Sequence, residues 1–421
     1  MRFQIALPSV VLVSAILAGC ASMDTQKHAR SFGVSDQRLK QLSAQISTDV
    51  QKGAIPGAVI LVARNGKIVY TDAIGMQDPK SGMPMKSDAI FRLASMTKPI
   101  VSVGVMILVE EGKILLSDPA SKYFPELKGQ KVGVVKKDAA GNAVLEEVPA
   151  VSQMTIQDLL RHTSGIPGYF TPSLVAKQWA DSNASAGPNQ TLVGRMGRVA
   201  KLPLAHQPGT TWDYTGGINI LGAIIERVSG QTLDVFLSER ILKPLGMKDT
   251  GFWVETAQQG RIAEPLAVDP DTKSPSMVPD VRKPPTLLCA DACMVSTASD
   301  YYRFLQTLLN KGKLDGVQIL SRKSVELMTS DHLGTGIDRG PLYLPGPGYG
   351  FGLGFAVRTA PGQATNLGSV GDYHWSGIYG TFFFVDPKER LIGIYMMQRP
   401  NFAANLNFWR QFKTGVYSAI D

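Results

Sequence analysis

Apolar residues at Leu39, Leu42, Ile46 and Val50 recur at helical spacing after Ser35 and stop at Gly53, which predicts an amphipathic helix. Two apolar runs, residues 58–62 and 67–70, then flank Asn65-Gly66, a strong short-range hairpin signal. From Phe91 to Gly112 the pattern predicts a helix. Its residues Val101, Val103, Val105, Met106, Ile107, Leu108 and Val109 leave no polar face, as expected of a helix sunk in a core. Between Asp118 and Asp280 the chain is rich in helix and loop signals. Residues 155–162 and 217–242 read as helices, and residues 131–148 as a small hairpin turning at Ala140-Gly141-Asn142. A helix over 301–309 leads back to strand-like segments 352–357, 380–385 and 391–397, and a final helix is expected over 402–416.

Helix and hairpin at one end, strands and helix at the other, predict an α/β (α+β) fold. One antiparallel sheet flanked by helices would be built from both termini, residues 35–117 and 291–421. Residues 118–290 would then be an inserted helical lobe. With 44% apolar residues in 421, the chain can bury a core of that size.

The first nineteen residues do not fit that scheme. Arg2 precedes an apolar run, residues 5–17, too short to span a membrane and ending in Leu17-Ala18-Gly19-Cys20. This reads as a signal peptide, and its ending resembles the bacterial lipobox, which implies lipidation at Cys20. Residues 20–34 would be a tether. Ala21 after the cysteine fits sorting to the outer membrane, so the expected form is an exported lipoprotein facing the periplasm, held to the membrane through Cys20. Losing residues 1–19 takes the formal net charge from +8 to +7. That charge is spread without a basic block or interleaved aromatics, so nucleic acid is not an expected partner. The oligomeric state is not legible.

The residues that carry chemistry open the buried helix. Ser95-Met96-Thr97-Lys98 places a hydroxyl and an amine three residues apart, on one face of a helix. A serine hydroxyl needs a neighbouring base to act as a nucleophile. Burial among apolar side chains disfavours an ammonium and makes the amine available for that task. There is no Gly-x-Ser-x-Gly elbow, so His162 and His374 are not read as members of a Ser-His-Asp triad. His162 is expected to pack a helix end beside the pocket, and His374 to border it. Five scattered histidines and no Cys/His cluster argue against a metal site, and no cofactor is called for. Cys289 and Cys293 either close a small disulfide or remain two buried thiols; the spacing alone leaves both open.

Further segments follow in order: Leu159-Leu160-Arg161-His162-Thr163-Ser164-Gly165, Pro208-Gly209-Thr210-Thr211-Trp212-Asp213-Tyr214, Val295-Ser296-Thr297-Ala298 and Trp375-Ser376-Gly377. Together with the Ser-x-x-Lys motif, over about residues 35–420, they resemble the class C β-lactamase-like serine hydrolases, and in particular the family VIII carboxylesterases. The resemblance implies a β-lactamase/penicillin-binding-protein-like fold. It also implies an acyl-enzyme on Ser95, with Tyr214, as phenolate or through Lys98, taking the serine proton. A phenol serves as a base beside a cation that stabilises its phenolate, and Lys98 would supply that cation. The backbone N–H groups of Ser95 and Ile378 would form the oxyanion hole.

Two departures point to the substrate. Gly216 stands where β-lactamases carry an amide-bearing asparagine, and Trp375-Ser376-Gly377 replaces their Lys-Thr-Gly. Both favour a neutral ester over a carboxylate-bearing β-lactam, because a carboxylate buried beside an indole without a counter-charge is costly. Trp375, Ser376, Gly377, Gly216 and His374 are therefore the expected pocket residues. Side chains at Ala290-Asp291-Ala292-Cys293 are expected to shorten the acyl pocket. The expectation is a serine esterase for short-chain acyl esters. The alternatives are a class C-like β-lactamase or D-Ala-D-Ala-type peptidase on the same nucleophile, and a catalytically idle penicillin-binding-like envelope protein.

Overall fold

The computed structural model describes residues 31–182, 190–340 and 342–421. The expected signal segment and Cys20 lie outside these residues. The centre is an eight-stranded, wholly antiparallel sheet. Its strands are β1 (Gly57–Arg64), β2 (Lys67–Asp78), β3 (Met83–Pro84), β4 (Tyr349–Phe351), β5 (Ala356–Arg358), β6 (Tyr373–Ser376), β7 (Phe382–Asp386) and β8 (Leu391–Met397). Their spatial order is β4-β5-β6-β7-β8-β1-β2-β3, so both ends of the chain meet where β8 pairs with β1.

Strand β1 shows why the sheet is covered on both faces. Val59, Leu61 and Ala63 enter one core cluster, whereas Ala58, Ile60 and Val62 enter another, the period-two alternation of a strand. The second face is covered by α1 (Asp36–Gln51) and the C-terminal helix α5 (Phe402–Ser418). Ser35 caps α1 by accepting from the Arg38 N–H, and Leu39, Leu42 and Ile46 are buried on its inner stripe. The first face receives α2 (Thr97–Glu110) and α4 (Ala298–Leu309), so the architecture is three-layered.

Residues between these strands carry α3 (Ile218–Ser229), which packs on α2, with shorter helices and the hairpin Lys131–Lys137/Ala143–Pro149. Among the described residues no helix is long and apolar enough to cross a membrane.

Three expectations change in detail. The helix predicted over 217–242 ends at Ser229, because Gly230 adopts a left-handed φ of 71°. Separate turns, Leu233–Leu237 and Ser238–Leu242, follow it. The strand predicted over 352–357 is broken at 352–355, and β4 and β5 pair on either side of that break. The helix predicted from Phe91 starts only at Thr97, since Phe91–Arg92 is a short strand paired with Val295–Ser296.

Candidate active site

That short strand sets the position of Ser95. Phe91 faces Ser296 and Arg92 faces Val295, and the Leu93 N–H donates to the Met294 carbonyl at 2.8 Å. Ala94 then takes a φ of +47°, a conformation uncommon for a residue with a side chain. Ser95 sits in the 3-10 turn Ala94–Met96, and Lys98 in the first turn of α2. The expected helix face is thus a sharp turn feeding a helix. The Tyr301 hydroxyl, donating to the Met96 carbonyl at 2.9 Å, braces it from α4.

Lys98 is 1% exposed and points inward. Its Nζ donates to Ser95 Oγ at 3.2 Å and to the Asp291 carbonyl at 2.9 Å, and lies 4.7 Å from the centroid of the Tyr214 ring. A buried cation above an aromatic face is attracted to its quadrupole.

Two phenols neighbour this lysine, and their surroundings separate them. Tyr169 has an exposed ring, but its hydroxyl is buried and donates to the Asp291 carboxylate. Burial first, then the Asp291 charge, holds that phenol well above its ordinary pKa of 10. Tyr214 has no carboxylate at its hydroxyl; it accepts a hydrogen bond from the Trp375 indole N–H at 3.3 Å. Of the two, Tyr214 is the phenol whose hydroxyl faces no carboxylate. Its ring is fixed by edge-on contact with His162 at 4.9 Å and by stacking with Phe170 at 6.2 Å. His162 takes a left-handed φ of 61° just beyond the helix Ile156–Leu160. Burial, and then the charge of Lys98, depress its pKa well below 6.5, so it is a neutral packing group.

Ser95 opens into a cavity of about 80 Å³. Tyr214, Trp375, Ser376, Ile378 and His374 line it, together with Phe170, Leu344 and Phe382, and with Phe402, Leu406 and Trp409 from α5 or its first residue. No charged side chain is in that wall. Strand β5 ends opposite His374, so Trp375 and Ser376 offer a free strand edge there. His374 packs edge-on against Tyr349 at 4.8 Å, and its Nδ1 is buried without a partner. Burial, followed by Lys413 and Arg358, keeps it neutral.

Gly377 is not itself in the lining, and its task is close approach. A Cβ there would lie 2.1 Å from the Leu93 carbonyl, and Thr381 Oγ1 donates to that same carbonyl at 2.9 Å. The turn after β6 is thereby pressed onto the Ser95 segment, which brings Ile378 to the cavity of Ser95.

Two pocket expectations are corrected. Gly216 lines a neighbouring cavity of about 180 Å³ with Arg195 and Asn219, not the one at Ser95. A Cβ on Gly216 would meet the Tyr169 hydroxyl at 2.5 Å, so Tyr169 fills the space of the missing side chain. Residues 290–293 do not line the Ser95 cavity either. Cys289 and Cys293 form a disulfide, and the loop it closes holds Lys98 through the Asp291 carbonyl. A larger cavity of about 370 Å³, near Asp234, Glu239 and Trp253, contains none of these groups.

The sequence of the Beta-lactamase family matches residues 39–415. Protein Rv1367c of Mycobacterium tuberculosis is 38% identical over 364 residues, 84% of this chain and 88% of its own. Esterase EstB of Burkholderia gladioli is 31% identical over 385 residues, 86% of this chain and 90% of its own. Among solved structures, EstCE1, described as a hydrolase with promiscuous acyltransferase activity, superimposes with a TM-score of 0.73. It is 25% identical, and the match covers 91% of this chain and 99% of that one.

Proposed function

The chain belongs to the beta-lactamase family, on its family VIII carboxylesterase side, and we propose that it hydrolyses short-chain acyl esters through an acyl-enzyme on Ser95. Ser95 Oγ gives its proton to the Lys98–Tyr214 unit as it attacks the ester carbonyl. The carbonyl oxygen becomes an oxyanion beside the backbone N–H groups of Ser95 and Ile378, where preorganised donors are worth several kcal/mol. The alcohol leaves with the proton returned to it. Water then repeats the sequence on the acyl-serine and frees the acid.

The observation that carries this reading is the wall of the Ser95 cavity, aromatic and aliphatic with no Lys or Arg in it. A neutral ester enters without desolvating a charge, whereas a β-lactam carboxylate would be buried without a partner. The size supports short acyl groups. At about 80 Å³ the cavity is smaller than the ~150 Å³ cavity that accepts benzene, which fits chains of roughly two to six carbons. What limits the length is the ring of Phe170, Phe402 and Trp409.

The Leu17-Ala18-Gly19-Cys20 segment supports an exported form of this enzyme, lipid-anchored and facing the periplasm. The test of substrate class is a panel of p-nitrophenyl esters of rising chain length with nitrocefin alongside. We expect kcat/KM to peak at short chains and to exceed that for nitrocefin; the reverse order would favour the β-lactamase alternative.

A further inference from the structure

The loop from Cys289 to Cys293 touches the proton-transfer group, not the substrate cavity. Lys98 has a long, flexible stem, and its Nζ is fixed by two acceptors, Ser95 Oγ and the carbonyl of Asp291. That carbonyl stays in place only as well as its loop does. The chain before the loop is irregular over residues 264–288, and Leu287 and Leu288, which lead into it, pack on the core. Several ties hold the loop itself. The disulfide joins its ends, the Ala290 N–H donates to Asn219 Oδ1 at 2.9 Å, and the Met294 N–H donates to Thr97 Oγ1 at 3.1 Å. Inside the bridged loop, Asp291 presents its carbonyl to Lys98 and its carboxylate to Tyr169.

We propose that the Cys289–Cys293 bridge is a redox-sensitive positioning element for Lys98, one whose reduction slows Ser95 chemistry without unfolding the protein. The proposal rests on the esterase reading and adds a means of controlling it. Both cysteines are partly exposed, so a dithiol, small or carried by a thioredoxin-like protein, can reach them. The exchange breaks the S–S bond and leaves two thiols here, while the dithiol gives up two electrons and two protons and becomes a disulfide. The bridge spans a sequence separation of only four, and short closed loops restrict the unfolded chain least, so the fold survives its loss. With the bridge open, the Asp291 carbonyl is held only through the loop's remaining hydrogen bonds and fixes Nζ less closely against Ser95. Because residues 289–293 are absent from the Ser95 cavity wall, the effect falls on kcat and leaves KM alone.

The experiment compares the oxidised full chain with the same protein treated with dithiothreitol, counting the thiols gained. The oxidised protein's turnover of p-nitrophenyl butyrate tests the esterase reading separately. On gaining two thiols, kcat should fall roughly 10- to 100-fold, the cost of misplacing a catalytic group by about an ångström. KM should stay within about twofold, the cooperative melt should persist, and reoxidation should restore activity. Inactivation by diethyl p-nitrophenyl phosphate, which reports Ser95 nucleophilicity directly, should slow in parallel. Cys289→Ser/Cys293→Ser should behave like the reduced enzyme and ignore the reductant. An unchanged kcat in either form overturns the proposal. So does a loss of activity that comes only with loss of the cooperative melt.

Discussion

The indole N–H of Trp375 donates to the hydroxyl oxygen of Tyr214 at 3.3 Å, across 161 residues of sequence. Trp375 is therefore a polar partner of the Tyr214 hydroxyl as well as an apolar wall. A donor at that oxygen holds the hydroxyl in a fixed direction, on the ring that Lys98 Nζ also overlies.

Trp375→Phe keeps the ring and deletes this donor. A neutral hydrogen bond contributes about 0.5–1.5 kcal/mol, so kcat for p-nitrophenyl butyrate should fall roughly two- to twelvefold. KM should change less than kcat. An unchanged kcat would reduce Trp375 to a packing residue.

Lys98→Ala and Tyr214→Phe should each be nearly as damaging to kcat as Ser95→Ala, because groups that act as one unit are strongly non-additive. The melting transition of Ser95→Ala should stay close to that of the parent. Near-normal kcat in either partner variant would contradict the Lys98–Tyr214 unit.

Much of this site is legible in the chain, and what is not has a physical reason. Ser95 and Lys98 announce themselves by side-chain chemistry and spacing, and Tyr214 through the family resemblance. Asp291 does not, because it acts on Lys98 through its backbone carbonyl, a group every residue has. Nor do Phe402 and Trp409, whose helical pattern gives no hint that the last helix closes the cavity at Ser95. Trp375 is readable as apolar, but only the fold supplies the oxygen its N–H finds. The same limit explains the misplaced helix start, since the apolar run of α2 continues back through Phe91 into a strand that depends on Val295–Ser296.

Acid should destabilise the protein through its buried imidazoles. Burial holds His162 and His374 well below the ordinary 6.5, helped by Lys98 at the first and by Lys413 and Arg358 at the second. Below 6.5 the unfolded chain takes up protons that the native state refuses. Stability from these groups is therefore fully present above that pH and falls beneath it, by up to about 1.4 kcal/mol per pH unit for each. His162→Asn, which tolerates the left-handed backbone, should flatten the fall in urea midpoint between pH 6.5 and 5. Parallel curves for variant and parent would rule His162 out as a contributor.

Membrane attachment is a separate expectation carried by Leu17-Ala18-Gly19-Cys20. Cys20→Ser should release the protein from the membrane fraction or block its maturation. Unchanged fractionation together with an unchanged mature mass would contradict the anchor.

The central claim is the covalent step at Ser95, and the most direct measurement is the intact mass of the enzyme quenched during turnover of p-nitrophenyl butyrate. The account predicts a species heavier by one butyryl group, mapped by peptide fragmentation to Ser95, decaying as butyrate appears and absent from Ser95→Ala. Release of p-nitrophenol at the full rate by Ser95→Ala, or an acyl group carried on another residue, would contradict it.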